Sequence, residues 1–136
     1  MIDRLPVLIA ALWWGSITTI GFLVVPMLFA HLATPAIAGN MAARLFSAQT
    51  WVTLTSGLLL LMMSRPKGQT TLLPWAKSSL GWIFAGMLIA MLLEFVVAPH
   101  ISARDNLKLW HTLGTLIFVG QWLCAGAVLW RLTRHT

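Results

Sequence analysis

Charged side chains are scarce in this chain, because only 9% of its 136 residues are Asp, Glu, Lys or Arg. Soluble domains carry roughly 25% charged residues, and a soluble fold of this length cannot cover its surface with so few. Hydrophobic residues make up 59% of the chain, and its mean hydropathy is +0.85. The composition therefore predicts an integral membrane protein and excludes a disordered chain and a free cytosolic enzyme.

The sequence also lacks the common motifs of soluble enzymes. It contains no glycine-rich phosphate loop, no Gly-x-Ser-x-Gly motif, no Cys-x-x-Cys and no His-Glu-x-x-His. Its single cysteine, Cys124, lies in an apolar run and excludes an intramolecular disulfide. Any chemistry would have to take place in the membrane or at its edge.

Four apolar runs are each long enough to cross a bilayer, which takes about 20 residues at a rise of roughly 1.5 Å per residue. Short polar segments separate them, most clearly at 64–68, where proline and glycine lie among charges. Pro74 suits the first turn of a helix. We predict an all-α, four-helix transmembrane bundle that forms one domain over 1–136, with helices at about 6–32, 41–63, 74–98 and 107–132.

The distribution of basic residues predicts the orientation, because cytoplasmic loops are richer in Lys and Arg. Four helices place both termini and the second connection on one side of the membrane. That side holds six basic residues and the other side three: Arg4, Arg65, Lys67, Lys77, Arg131 and Arg134, against Arg44, Arg104 and Lys108. We therefore expect both termini in the cytoplasm. The charges are scattered singly, so no nucleic-acid partner is expected.

Glu94 is the most informative residue, because an acid inside a predicted span costs about 3 kcal/mol on insertion scales. It should therefore face protein and not lipid. Gly86, Ala90 and Glu94 recur every four residues on one helix face, and small residues at that spacing let helices approach closely. We expect Glu94 in a helix contact, either as a ligand, proton or cation site or as a structural hydrogen-bond anchor.

Four more polar side chains lie in the same outer half of the predicted bundle: His31, Gln49, His100 and His111. Their convergence would give a polar cluster centred on Glu94 and His111, in which a protonated imidazole would stabilise the carboxylate. No catalytic residue is assigned. If a metal binds, His31 and His111 are the candidate ligands for haem iron or copper. The histidines have no tight ligand spacing, so no cofactor is predicted.

Pro26 lies inside the first predicted helix. It lacks an N–H group, so it frees the carbonyl of Phe22 and should kink the helix. Phe22 to Pro26 reads FLVVP and Phe95 to Pro99 reads FVVAP, at an offset of 73 residues. The two segments suggest a parallel repeat of two helical hairpins. Gln121, near the middle of the fourth helix, is interpreted as an interhelical hydrogen-bond partner.

Several residues of the first, third and fourth helices resemble a known family: Trp14-Gly15, Gly21, Val25-Pro26, Leu28-Phe29, Glu94, Pro99 and His111. The chain resembles the bacterial four-helix membrane family of unknown function that is related to transmembrane protein 205. The resemblance covers nearly the whole chain. It implies a multi-pass protein of the bacterial inner membrane with no established activity.

A more distant similarity concerns the first helix. Trp13-Trp14-Gly15 and the segment from Pro26 to His31 are similar to the first helix of the HemJ type of protoporphyrinogen oxidase, and the copper-resistance D membrane domain has related features. That kinship would imply haem or copper at histidines. The sequence departs from it at Met27, where a basic residue would be expected.

The leading hypothesis is a non-enzymatic membrane protein, either a transport-type binding module or an accessory subunit. The alternative is a haem- or metal-dependent membrane redox protein that uses His31 and His111. A purely structural subunit is the third hypothesis. The expected partners are the lipid bilayer and either a second copy or a larger membrane complex. Two helix faces suit such a contact, Gly86 with Ala90 and Gly120 with Cys124.

Overall fold

The computed structural model describes residues 4–135, and these form four long helices without a strand. Each helix is long and apolar enough to cross a membrane. In chain order they are α1 (Leu5–His31), α2 (Pro35–Met62), α3 (Pro74–Ser102) and α4 (Leu107–Arg134). The all-α prediction with four candidate spans is confirmed.

The second helix begins at Pro35 and not at the predicted position 41. Thr34 has an extended backbone, and its hydroxyl accepts a hydrogen bond of 3.2 Å from the N–H of Ile37. Proline at the first helical position loses no hydrogen bond, since that N–H has no partner in a helix. The segment interpreted as a turn, 33–40, therefore contains a helix cap followed by a helical turn.

The first helix passes through Pro26 without ending. A π-helical turn, Ile20–Val24, precedes the proline, and the N–H of Val25 bonds to the carbonyl of Ile20, five residues back. A π-turn adds one residue to the helical repeat, and such turns accompany bends in helices. The π-helical turn, which is wider than an α-helical turn, thus accommodates Pro26 within the helix.

The third helix shows the same arrangement of a π-turn before a proline. A π-helical turn, Leu93–Val97, precedes Pro99, and the N–H of Ala98 bonds to the carbonyl of Leu93. The helix then continues to Ser102 and does not end near Pro99 as predicted. The two π-turns lie 73 residues apart, which is the offset of the sequence similarity. This agreement supports the predicted parallel repeat.

The four helices form a ring in which each helix contacts the next in chain order and α4 contacts α1. At one end of the ring lie the start of α1, the end of α4 and the connection 63–73, and we refer to it as the terminal end. At the other end lie the two short connections, 32–34 and 103–106, and we refer to it as the short-loop end. The two halves of the ring are packed differently.

The hydrophobic core fills the half towards the terminal end. Trp13 of α1 is fully buried there, and its indole N–H donates a 3.0 Å hydrogen bond to the hydroxyl of Thr53 on α2. Trp122 of α4 donates similarly to Thr18 of α1, at 2.9 Å. Around Trp13 pack buried apolar side chains from all four helices: Ala10, Ile17, Leu60, Ile83, Ala125, Val128 and Leu132.

The small residues expected at a dimer contact are used inside the chain. Gly86 and Ala90 are buried, and a Cβ atom at Gly86 would lie 2.7 Å from the ring of Trp13. Cys124 is also buried. Gly86, Ala90 and Cys124 are therefore occupied by contacts within the chain, whereas Gly120 is half-buried, and dimerisation stays a prediction.

We expect Gly86→Ala to lower the free energy of unfolding by about 1–3 kcal/mol, because the added methyl group overpacks a filled core. Gly81→Ala is the matched control on the same helix, since a Cβ atom there meets nothing within 4 Å. The control should be neutral or stabilising by up to about 1 kcal/mol, because alanine favours helices over glycine. Thermal unfolding in mild detergent measures both, and equal stabilities would contradict the packing around Trp13.

Candidate functional site

A cavity of about 590 Å³ lies between the four helices in the half towards the short-loop end. Its walls come from the regions of the two π-turns, the first half of α2 and the first half of α4. Four phenylalanines line it: Phe22, Phe29, Phe46 and Phe118. Phe46 and Phe118 contact each other edge to face, with ring centroids 5.3 Å apart. The wall is therefore largely apolar.

Glu94 lies in the π-turn of α3, lines the cavity and is half-buried. The hydroxyl of Ser47 on α2 lies 2.8 Å from one carboxylate oxygen and 2.9 Å from the other, as their hydrogen-bond donor. Hydrogen bonds to an ionised acceptor are roughly twice as strong as neutral ones. The carboxylate therefore lies in a contact between α2 and α3, at the cavity wall.

Two buried glutamines also line the cavity, Gln49 on α2 and Gln121 on α4. The amide nitrogen of Gln49 donates a 3.0 Å hydrogen bond to the hydroxyl of Ser16. The side-chain oxygens of both glutamines have no hydrogen-bond partner in the part of the chain that the structure describes. A buried acceptor without a partner costs about 1–3 kcal/mol, so a donor that reached either oxygen would stabilise the folded state.

Each π-turn also leaves one main-chain carbonyl without a helical partner. The N–H of Val25 bonds to Ile20 and not to Gly21, and the next residue, Pro26, has no N–H. The carbonyl of Gly21 therefore receives neither a four-residue nor a five-residue helical hydrogen bond. Glu94 occupies the same place in the second π-turn. Both residues line the cavity.

The structure places His111 at the same cavity, near the start of α4. The expected pair between Glu94 and His111 is not formed within residues 4–135, where the carboxylate is bonded to Ser47 instead. Three predicted cluster residues, Gln49, Glu94 and His111, thus line one cavity.

The other two predicted cluster residues lie elsewhere. His31 ends α1, is exposed and does not line the cavity. The ring of His100 stacks on Trp110 with centroids 4.0 Å apart, and its Nδ1 lies 3.3 Å from a carboxylate oxygen of Asp105. Among the described residues no three His, Cys, Asp or Glu side chains lie close enough together to hold a metal ion.

Ser47, which bonds to Glu94, and Gln121, which lines the cavity, are among the polar residues that fall outside the predicted cluster. A serine in an apolar helix usually bonds to its own backbone, as Ser16 does with the carbonyl of Trp13 at 2.8 Å. Nothing in the sequence distinguishes Ser47 from that ordinary case. The depth of Gln121 in the fourth span predicts a hydrogen-bond partner in another helix. It does not predict that the side chain lines a cavity.

We expect Ser47→Ala to lower the free energy of unfolding by about 1–3 kcal/mol, because it leaves a half-buried carboxylate without its hydroxyl donor. Ser78→Ala is the control, since the Ser78 hydroxyl donates to a carbonyl of its own helix and its loss should cost less. Chemical unfolding in detergent measures both. In a Glu94→Leu background Ser47→Ala should cost nearly nothing, and an unchanged cost there would show that the two side chains are not coupled.

Comparison with known families gives one match. The model of a domain of unknown function, DUF4149, matches residues 8–108, a range that includes both π-turns, Ser47 and Glu94. No curated protein and no solved structure matches the chain. The chain belongs to the DUF4149 family, whose function is unknown, and in that respect alone the family expectation is confirmed. Kinship with transmembrane protein 205, with HemJ or with the copper-resistance D domain stays a prediction.

Proposed function

We propose that this member of the DUF4149 family is a membrane-embedded binding module that holds a small organic molecule in its cavity. The cavity is the observation on which this proposal rests. Sites for small organic molecules have volumes of about 300–1,000 Å³, mostly apolar walls and a few polar groups that fix orientation. A volume of about 590 Å³, four phenylalanines and one carboxylate fit that description.

The outer surface of the four helices supports a place in the membrane. Large apolar side chains are exposed on every helix, among them Leu12, Met62, Leu88 and Leu116. In a bilayer these side chains would face lipid. With both termini in the cytoplasm, as the excess of basic residues favours, the cavity would lie in the outer half of a bacterial inner membrane.

The polar groups of the cavity suit binding better than catalysis. Acid–base chemistry on a substrate commonly uses a pair of groups with distinct roles. Glu94 and His111 both line the cavity, but they form no pair among the described residues, and the oxygens of Glu94 are bonded to Ser47. We therefore favour a transport-type role, in which a molecule is held and released unchanged, over a reaction. An accessory subunit in a larger complex would use the same site.

The alternative, a haem- or metal-dependent redox protein, stays a prediction from the distant resemblance. It would need His31 and His111 to act together, and only His111 lines the cavity. An absorption spectrum of purified protein with analysis for iron and copper tests it. A stoichiometric Soret band that is lost in His111→Ala would favour the redox role over the binding module.

Filling the cavity tests the proposed function. Gly39 of α2 lines the cavity, and a Cβ atom there meets nothing within 4 Å, so Gly39→Phe should occupy the space without disturbing the backbone. Gly81→Phe is the matched control, because Gly81 has equally open surroundings, is exposed and lies outside the cavity. Thermal unfolding is measured with a panel of small aromatic cations, neutral molecules and anions.

We expect at least one compound to stabilise the wild type and Gly81→Phe but not Gly39→Phe. At 100 times its dissociation constant a ligand stabilises the folded state by about 2.7 kcal/mol. The proposal fails if no compound raises the unfolding temperature, or if Gly39→Phe responds as the wild type does.

A further inference from the structure

In the buried part of the cavity the hydrogen-bonding groups without a partner are acceptors, whereas the exposed Asn40, Ser102, Arg104 and His111 also offer donors. The oxygens of Gln49 and Gln121 have no partner among the described residues, and the carbonyls of Gly21 and Glu94 have no helical one. The Glu94 carboxylate can accept more hydrogen bonds than the hydroxyl of Ser47 supplies. A molecule that donates N–H or O–H groups would satisfy these oxygens, whereas one that only accepts would not.

The charge at the cavity wall favours a cation at its deeper part. The charged and titratable side chains that line the cavity are Glu94, Arg104 and His111. Arg104 lies in the exposed 103–106 connection, ten positions after Glu94, which corresponds to about 15 Å along a helix at 1.5 Å per residue. Exposed charges are screened over about 10 Å at 0.1 M salt. Glu94 is half-buried whereas Arg104 and His111 are exposed, so solvent and salt screen the charge of Glu94 less than the charges of the other two groups.

The volume and the phenylalanines indicate that the ligand has an apolar body. A bare metal ion would leave nearly all of a 590 Å³ space empty. Aromatic faces also attract a cationic group that lies within about 6 Å of the ring. Phe46 and Phe118 line the same cavity as Gln49, Gln121 and Glu94.

We infer that the cavity binds an organic ammonium ion, with its N–H groups at Glu94 and the buried amide oxygens and its apolar body along the phenylalanines. This inference rests on the proposed binding function and names the chemical class of the ligand. The ammonium group can belong to a free amine or to the headgroup of an aminophospholipid, since both present the same donors.

Three probes with one apolar body test the inference: 4-phenylbutylammonium, 4-phenylbutanol and 4-phenylbutanoate. Binding to the wild type is measured by calorimetry in phosphatidylcholine nanodiscs, whose lipid has no N–H donor. We expect the ammonium to bind at least tenfold tighter than the alcohol and the carboxylate. A tenfold ratio corresponds to about 1.4 kcal/mol. Equal or tighter binding of the alcohol or the carboxylate would overturn the inference.

Glu94→Gln should reduce the affinity for the ammonium at least tenfold and leave that for the alcohol nearly unchanged. An unchanged affinity for the ammonium would overturn the role of Glu94. If Glu94→Gln does not accumulate, the head-group series on the wild type still decides. If all three probes bind the wild type equally well and Gly39→Phe abolishes their binding, the cavity is upheld as the binding site. The preference for an ammonium group is then rejected. Binding that Gly39→Phe does not affect would reject the proposed function itself.

The lipid composition of the nanodiscs distinguishes the two sources of the ammonium group. Phosphatidylethanolamine that competes with 4-phenylbutylammonium in the wild type indicates an aminophospholipid as the natural ligand. Undiminished binding of the probe indicates a free amine. Both results uphold the ammonium class, provided that the head-group preference is observed.

Discussion

The contact between Ser47 and Glu94 is the interaction on which the site depends. A carboxylate inside an apolar helix is tolerated only where protein groups satisfy it, and the Ser47 hydroxyl meets both of its oxygens. The contact joins α2 to α3 beside the cavity, where the close packing of the core gives way to space. The contact therefore holds the Glu94 carboxylate at the cavity wall, where the carboxylate can reach a bound molecule.

The two halves of the ring differ because different residue types face its axis. Towards the terminal end, the ring of Trp13 fills the centre of the four helices and packs against Gly86, which has no side chain. Towards the short-loop end, prolines in α1 and α3 impose π-turns, and small residues such as Gly39 leave room. A rigid, closely packed half thus supports a hollow half in which polar groups lack partners, an arrangement suited to a binding site.

The sequence predicts the membrane class and four helices because long apolar runs leave no other fold in a bilayer. It places Glu94 inside a span, and a Thr–Pro cap at Thr34 could have given the true start of α2. Pro99 predicts a helix end because a proline usually breaks a helix, whereas a π-turn accommodates it in the structure. The depth of a residue along a helix does not show which way its side chain faces. The sequence therefore groups His31 and His100 with residues whose cavity they do not line.

The central claim is that Glu94 supplies a negative charge to the cavity, and infrared spectroscopy tests it most directly. The chain has three carboxyl side chains, Asp3, Glu94 and Asp105, so the difference between wild type and Glu94→Gln isolates one of them. At neutral pH we predict the loss of an ionised carboxylate band, which shifts in the wild type when 4-phenylbutylammonium binds. Loss of the carbonyl band of a protonated acid, with no shift on binding, would contradict the claim.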